Sequence, residues 1–191
     1  MTLLQVMAAR DPGEVQLRSE DSEVVRVQLL RIGVRFSRWR AARRIPVDAD
    51  DATILSAYRS HIGHVSAENG YRTVDIRRLT PAPAGPELRR AAANREKFRR
   101  QHLHEEDMVR FLVAGIGCHY LHAAGRVYAL VCTPGDLLSV PSRTGHWFDA
   151  GAAPRYTSIR FLRARDRPGL RFQPGDIAAR FPTLDDLLEL P

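Results

Sequence analysis

The spacing of short apolar runs in the second half of the chain constrains the fold more than any other feature. The runs cover residues 108–114, 119–122, 127–132, 137–140, 146–149 and 156–162. Glycine, proline or charged residues separate each run from the next. Short strands with turn residues between them are typical of a small antiparallel barrel or sandwich. This half of the chain therefore predicts a mainly β domain.

The first half of the chain mixes strand and helix patterns. Strands are predicted over residues 3–8, 34–39 and 71–79. Ser22 can cap a first helix, and Asp50 or Asp51 can cap a second helix that ends before Gly70. Pro86 can begin a third helix, because proline is tolerated in the first turn. We expect these elements to surround a β core.

Length and composition limit the class of protein. A chain of 191 residues with 44% hydrophobic side chains fits one globular domain. No apolar run approaches the roughly 20 residues that a bilayer requires, and the first residues do not have the pattern of a signal peptide. Cys118 and Cys132 are too few for a disulfide framework, which suits a reducing compartment. We therefore expect a soluble cytoplasmic protein, either a monomer or a homodimer.

The positive charge of the chain raises the question of nucleic acid. The formal net charge is +7, and a basic run contains Arg35, Arg38, Arg40, Arg43 and Arg44. However, Lys97 is the only lysine, so arginine carries the charge along the whole chain rather than in one stripe. A coding bias toward arginine would have this effect, and acidic residues interrupt the basic segments. We expect no nucleic-acid partner.

Three histidines form a candidate metal site. His102 and His104 are one residue apart, so in a strand both imidazoles project to the same side, about 6.6 to 7 Å apart. A metal bound to imidazole nitrogen at roughly 2.0 to 2.1 Å needs a further ligand from another strand. His146, just after the turn over 141–145, can supply it. The alternative is that these are surface or hydrogen-bonded histidines.

The segments around these histidines resemble the two cupin motifs. The first has the spacing H-x-H-x3-M-x6-G from His102, and the second has G-x5-P-x4-H ending at His146. Within the cupin superfamily, HLHEEDMVRFLVAGIG, GDLLSVPSRTGHWF and SIRFL resemble segments of the acireductone dioxygenase family. Weaker similarity extends upstream through LLRIGVRFSRW, GYRTVDIRRL and EKFRRQHLH. The resemblance implies a mainly β (α+β) fold, a cupin double-stranded β barrel or jelly roll with N-terminal helices.

The resemblance also implies a domain layout and an activity. One cupin domain would cover residues 1–191, with N-terminal strands and helices over 1–100 packed on the barrel. Residues 101–165 would form the metal-binding core. The implied enzyme is a non-heme metal-dependent dioxygenase with one divalent ion, iron or nickel, and O2 as co-substrate.

The first motif departs from the family at Met108, where the family has a glutamate ligand. The nearby Glu105, Glu106 and Asp107 lie outside the family's spacing. A thioether is soft and neutral, so Met108 is expected to form a pocket wall rather than to bind the metal. Compared with a site of three histidines and one glutamate, a site of three neutral histidines has one more unit of net positive charge and one more open coordination position. It therefore favours an anionic, bidentate substrate.

Three neutral histidines around iron also resemble, at the level of the metal only, the thiol dioxygenases. These cupins oxidise cysteine or related thiols, and a thiolate with an amine or carboxylate would supply the missing anionic donors. The leading hypothesis is therefore O2-dependent oxidation of a small anionic thiol such as cysteine. One alternative is acireductone dioxygenase activity, since an enediol can chelate a metal as a dianion. Another is a non-catalytic cupin that binds a small molecule.

Two arginines are the candidate catalytic and substrate-binding cations. Arg110 and Arg160 match arginines that line the family's pocket, and Arg110 is expected on the same strand and face as the histidine pair. A guanidinium there can hold a carboxylate or enediolate. The alternative is that each arginine pairs with a structural carboxylate.

Three further side chains are weaker candidates for a place near the metal. Phe98 matches an aromatic residue near the family's pocket and completes the substrate-binding set with Met108 and the two arginines, although a core position suits it equally. His119 and His122 lie on the next predicted strand with opposite parity, so at most one faces inward. We expect both to be surface residues or hydrogen-bond partners.

Overall fold

Two antiparallel β-sheets form the centre of the computed structural model, which describes residues 1–39, 45–46, 49–163 and 169–190. Arg40, Arg43 and Arg44 of the basic run lie outside the described residues. No helix in the described ranges is both long and apolar enough to cross a membrane.

The elements are numbered in chain order. The strands are β1 (Leu3–Ala8), β2 (Val15–Ser19), β3 (Arg35–Arg38), β4 (Thr73–Leu79), β5 (His102–His104), β6 (Met108–Gly115), β7 (Gly117–Ala123), β8 (Arg126–Cys132), β9 (Asp136–Val140), β10 (Gly145–Asp149), β11 (Tyr156–Leu162) and β12 (Leu170–Phe172). The helices are α1 (Ser22–Leu30), α2 (Asp51–Ala57), α3 (Arg59–Asn69), α4 (Pro86–Arg99) and α5 (Leu184–Glu189), with a 3₁₀ turn at Ala178–Arg180.

The strand order shows how the chain builds the two sheets. The larger sheet has the order β12-β5-β10-β7-β8-β1-β2, and the smaller has the order β3-β9-β6-β11-β4. Residues 1–100 therefore contribute strands to both sheets as well as helices around them. This is the mainly β, α+β class that the sequence predicts. The division into an N-terminal part and a core over 101–165 stays a prediction.

Apolar side chains pack in three layers around these sheets. One cluster fills the space between the sheets, with Leu121 and Leu130 from the larger sheet against Met108 and Leu112 from the smaller. A second covers the outer face of the larger sheet, where α5 packs. A third covers the outer face of the smaller sheet beneath α2 and α3. The space between the sheets is therefore the protein interior in which a site can be enclosed.

Side-chain caps set where the first helices begin. Asp21 accepts hydrogen bonds from two backbone N–H groups of the first turn of α1, so the predicted cap, Ser22, is instead its first helical residue. Asp50, one of the two predicted caps, caps α2. The single helix predicted up to Gly70 is divided at Tyr58, whose φ of −107° and ψ of 13° leave the helical region.

The histidine pair and Met108 lie on different strands, so the expectation that one strand carries the pair together with Arg110 is wrong. β5 ends at His104 in the larger sheet, and β6 begins at Met108 in the smaller sheet. The chain crosses between the sheets at residues 105–107. Asp107 stabilises the crossing by accepting a 2.9 Å hydrogen bond from the Ser142 backbone N–H. The two strands consequently face the same interior from opposite walls.

Asp149 on β10 links three elements of the fold. This buried carboxylate accepts two hydrogen bonds, of 2.7 and 3.0 Å, from Arg95 on α4. It also accepts a 3.1 Å hydrogen bond from the Leu184 N–H at the start of α5. Burial alone would raise the pKa of Asp149, but these hydrogen bonds outweigh burial and hold the pKa below its usual value. The ionised form is thus the one that stabilises the fold.

We expect Asp149→Asn to lower the free energy of unfolding by about 2 kcal/mol at pH 7, because the amide loses the charge-assisted hydrogen bonds. The pKa of an aspartate in the unfolded chain is about 3.9. A carboxylate whose pKa is lower in the folded state stabilises the fold at pH values above that value, and this contribution is lost as the pH falls through the pKa of the folded state. Urea unfolding at pH 7 and below pH 3 measures the difference. Glu96→Gln, which removes an exposed pair with Arg99, is the control and should change little. Equal losses in the two variants would contradict this role.

Candidate metal centre

Three histidine side chains converge between the two sheets. β5 carries His102 and His104, and its neighbour β10 carries His146 directly opposite His102. One potential ligand atom from each ring lies within 4.8 Å of the other two. The ring centroids are 4.4 to 5.4 Å apart. The structure therefore brings the three sequence-predicted ligands into one group.

Backbone carbonyl groups orient two of the three rings. Nδ1 of His102 lies 2.8 Å from the carbonyl oxygen of Arg100. Nδ1 of His146 lies 2.8 Å from the carbonyl oxygen of Thr144. A carbonyl can only accept, so each Nδ1 carries the proton and each Nε2 keeps its lone pair. This second contact is typical of histidines that bind metals.

Two unpartnered ring nitrogens and the neutral state of the rings fit a metal ion. Nε2 of His146 and Nδ1 of His104 are buried without a hydrogen-bond partner in the described part of the chain. Burial lowers the pKa of all three histidines, that of His104 to about 4, which keeps the rings neutral near pH 7. Buried polar atoms normally have partners, and neutral imidazole is a common ligand of divalent transition metals.

The carboxylates that follow the histidine pair face other partners. Glu105 lies 3.8 Å from Arg143 and 3.4 Å from Arg171. Asp107 lies 3.5 Å from Arg163. Among the described residues, the group of potential metal ligands consists of histidines only.

A cavity of about 360 Å³ lies beside the three histidines. All four predicted substrate contacts line it, namely Phe98, Met108, Arg110 and Arg160. Asn94, Phe148 and Tyr156 also line it, and the sequence carries no motif that singles them out. Met108 is only 7% exposed and forms part of the wall that the smaller sheet contributes. The cavity is thus bounded by histidines on one side and by arginines and Met108 on the other.

The two arginines in this wall have different surroundings. Arg160 donates from Nε to Asp75 at 2.6 Å and makes a second, shorter hydrogen bond from Nη2 to the same carboxylate. Pairing with a structural carboxylate, the alternative considered for both arginines, is therefore observed for Arg160. Arg110 lies directly opposite Arg160 across the β6–β11 pair. Its hydrogen bond within the described residues goes to the carbonyl oxygen of Val109, at 3.1 Å.

The charge of Arg110 is consequently poorly compensated. Burial lowers the pKa of Arg110 to about 10 and repulsion from Arg160 lowers it further, while Tyr156 and the carboxylate of Asp75 act in the opposite direction. The guanidinium still carries its proton at pH 7. Because Asp75 is engaged by Arg160, an anionic group in the cavity would be the natural partner of Arg110.

His119 on β7 is a cavity residue, although the sequence predicts a surface or hydrogen-bonded position for it. It is 4% exposed, it lines the cavity, and its Nδ1 has no hydrogen-bond partner in the described ranges, so the expected surface or hydrogen-bonded role is wrong. His122 fits that expectation, since its Nδ1 lies 3.1 Å from Oε1 of Gln101. Strand alternation offered a signal, because His119 shares a face with the core residue Leu121.

Known proteins are similar to this chain over nearly its full length. Residues 21–167 match a family model described as the ARD/ARD' family. The chain is 47% identical to acireductone dioxygenase 1 of Nocardia farcinica, covering 98% of this chain and 100% of that relative. It is 41% identical to acireductone dioxygenase of Saccharopolyspora erythraea, covering 98% of each. Among solved structures, the chain is similar to acireductone dioxygenase from Bacillus anthracis with a cadmium ion in its active centre. The TM-score is 0.73 at 25% sequence identity, and the match covers 88% of this chain and 99% of that chain.

Proposed function

Because the chain belongs to the acireductone dioxygenase family and is a metal-dependent dioxygenase of the predicted cupin fold, we propose that it oxidises a small anionic thiol such as cysteine with O2. Met108 carries this proposal, since a neutral thioether stands where the sequence resemblance places a glutamate ligand. His102, His104 and His146 would hold one divalent ion, and imidazole suits iron and nickel alike. When bound, this ion would supply the redox chemistry of the reaction with O2.

The residues around the histidines select the substrate. Three neutral imidazoles leave the positive charge of an ion uncompensated, which favours thiolate and carboxylate donors. The apolar side chain of Met108 leaves room for a polarisable sulfur atom. The carbonyl groups of Arg100 and Thr144 keep two histidine rings in fixed orientations and fixed tautomers.

Arg110 is the residue that we assign to the substrate's carboxylate. Its partly buried guanidinium has donors and no acceptor, so a carboxylate satisfies it better than a neutral group does. Arg160 engages both carboxylate oxygens of Asp75 through Nε and Nη2, and its Nη1 has no hydrogen-bond partner among the described residues, so it can make a contact of its own. The ring centroids of Phe98 and His102 are 6.4 Å apart, and Phe98 would close the apolar side of the pocket.

An acireductone is a second candidate substrate, favoured by the similarity to acireductone dioxygenases over nearly the whole chain. An enediol can chelate an ion as a dianion, so the missing carboxylate ligand is compatible with this reaction. The same similarity argues against the non-catalytic alternative.

We also propose that the protein is cytoplasmic and that it is a monomer or a homodimer. We expect it to have no nucleic-acid partner. Both cysteines are buried free thiols in the structure. This supports a reducing compartment.

Aerobic incubation of the metal-loaded protein with a panel of thiols and an acireductone tests the proposal. An oxygen electrode measures O2 uptake, and mass spectrometry identifies products. We expect O2 uptake with cysteine and a product heavier by two oxygen atoms. Efficient turnover of the acireductone with no reaction of any thiol would reject the thiol substrate.

Replacing Arg110 should weaken the productive binding of an anionic substrate. We expect Arg110→Met to lower kcat/KM by about 10- to 100-fold, since a charge-assisted hydrogen bond contributes roughly 1.5 to 3 kcal/mol. Arg160→Ala should also lower kcat/KM, because it frees Asp75 to neutralise Arg110. Arg78→Met is the matched control, since Arg78 pairs with Asp51 on another face. Unchanged kcat/KM in Arg110→Met or Arg160→Ala, with fold and metal content intact, would show that the assigned role is wrong.

A further inference from the structure

His119 and Arg110 line the cavity beside the three histidines without belonging to the group of potential metal ligands. His119 lies opposite Phe148 on β10, whereas His146 lies opposite Leu121, so the two histidines share a sheet face at different depths. Arg110 enters the cavity from the smaller sheet. Both side chains line the same cavity. Burial, followed by the charge of Arg110, lowers the pKa of His119 to about 3.

His119 and Arg110 both keep hydrogen-bonding capacity that the described residues do not use. Nδ1 of His119 is buried without a hydrogen bond in the described ranges, and its ring packs against Phe148 at 4.8 Å. Leaving a buried polar atom unsatisfied costs about 1 to 3 kcal/mol, so an unpartnered imidazole on the wall of a cavity is consistent with a bound group there. Arg110 hydrogen-bonds a backbone carbonyl in the described residues and has donors left over.

We propose that His119 and Arg110 together bind the carboxylate of the substrate, which makes His119 a specificity-determining residue for short thiol carboxylic acids. This inference rests on the proposed thiol oxidation. A guanidinium can only donate, and a neutral imidazole has one N–H to donate, so a carboxylate can accept from both. The thiol end of the same molecule would then lie toward the three histidines.

Cysteine and cysteamine provide the test, because they differ by the carboxylate alone. Anaerobic calorimetric titration of the metal-loaded protein measures binding without turnover. We expect the wild type to bind cysteine more tightly than cysteamine. His119→Phe should weaken cysteine binding by about 10-fold, leave cysteamine binding unchanged and keep one metal per chain. His119→Asn, which retains a donor, should recover part of the loss, and His122→Phe on the same strand should change nothing.

Two results would overturn the role of His119. One is an equal loss of binding for both thiols in His119→Phe, which would show that the ring only shapes the cavity. The other is loss of metal, which would make His119 a ligand. Propionate, which has the carboxylate and no thiol, separates this proposal from the thiol reaction. If the wild type binds no thiol, weaker propionate binding in His119→Phe still supports the carboxylate site, and equal propionate binding rejects it.

Discussion

Replacing His104 with alanine is expected to remove the bound metal and abolish O2-dependent activity. The described ligand group contains three histidines and no carboxylate, so the loss of one imidazole leaves two ligands on adjacent strands. Metal content measured after gel filtration should fall from about one ion per chain to near zero. Because a bound metal stabilises the folded state, added metal should raise the Tm of the wild type and leave that of His104→Ala unchanged.

His64→Ala is the matched control for this substitution. His64 is an exposed histidine on α3 that lies 3.4 Å from Glu68, so its loss should alter neither metal content nor activity. Circular dichroism checks that both variants keep the fold. Stoichiometric metal in His104→Ala would defeat the ligand assignment.

Met108→Glu is expected to keep the metal and to lose thiol oxidation by on the order of 100-fold, which corresponds to about 2.7 kcal/mol in the barrier. A carboxylate at residue 108 would neutralise part of the charge of the ion and occupy a position that the thiolate or its second donor needs. Turnover of an acireductone should rise in the same variant. Oxygen uptake with both substrates measures the change in preference.

Met108→Leu separates the charge from the packing of this side chain. Leucine has a similar volume and no sulfur or charge, so it should preserve the cavity wall at a cost below about 1.5 kcal/mol and keep thiol oxidation. Thiol oxidation that survives in Met108→Glu as well as in Met108→Leu would show that the missing carboxylate does not determine the substrate.

Local patterns sufficed for most strands and failed for those that depend on distant pairing. β1 and β11 have the bounds predicted for residues 3–8 and 156–162, because runs of buried apolar side chains mark them along the chain. β2 was missed because it is an exposed edge strand held by β1. β12 was missed because it has three residues and exists through its pairing with β5.

The candidate site shows the same division between local and long-range information. The shared face of His102 and His104 follows from their spacing in one strand. The placement of Arg110 on the opposite sheet does not, because the crossing at residues 105–107 depends on which strands β5 and β6 join. The Arg160–Asp75 pair joins residues that are far apart in sequence, and no local pattern indicates it. Conversely, strand parity would have placed His119 beside Leu121 on the inner face.

A crystal structure of the metal-loaded protein with anomalous scattering at the metal edge tests the three-histidine site most directly. We expect one ion bound by nitrogen atoms of His102, His104 and His146 at roughly 2.0 to 2.1 Å, with solvent or substrate in the remaining positions. A bond from the ion to a carboxylate oxygen of Glu105, Glu106 or Asp107, or to the sulfur of Met108, would contradict it.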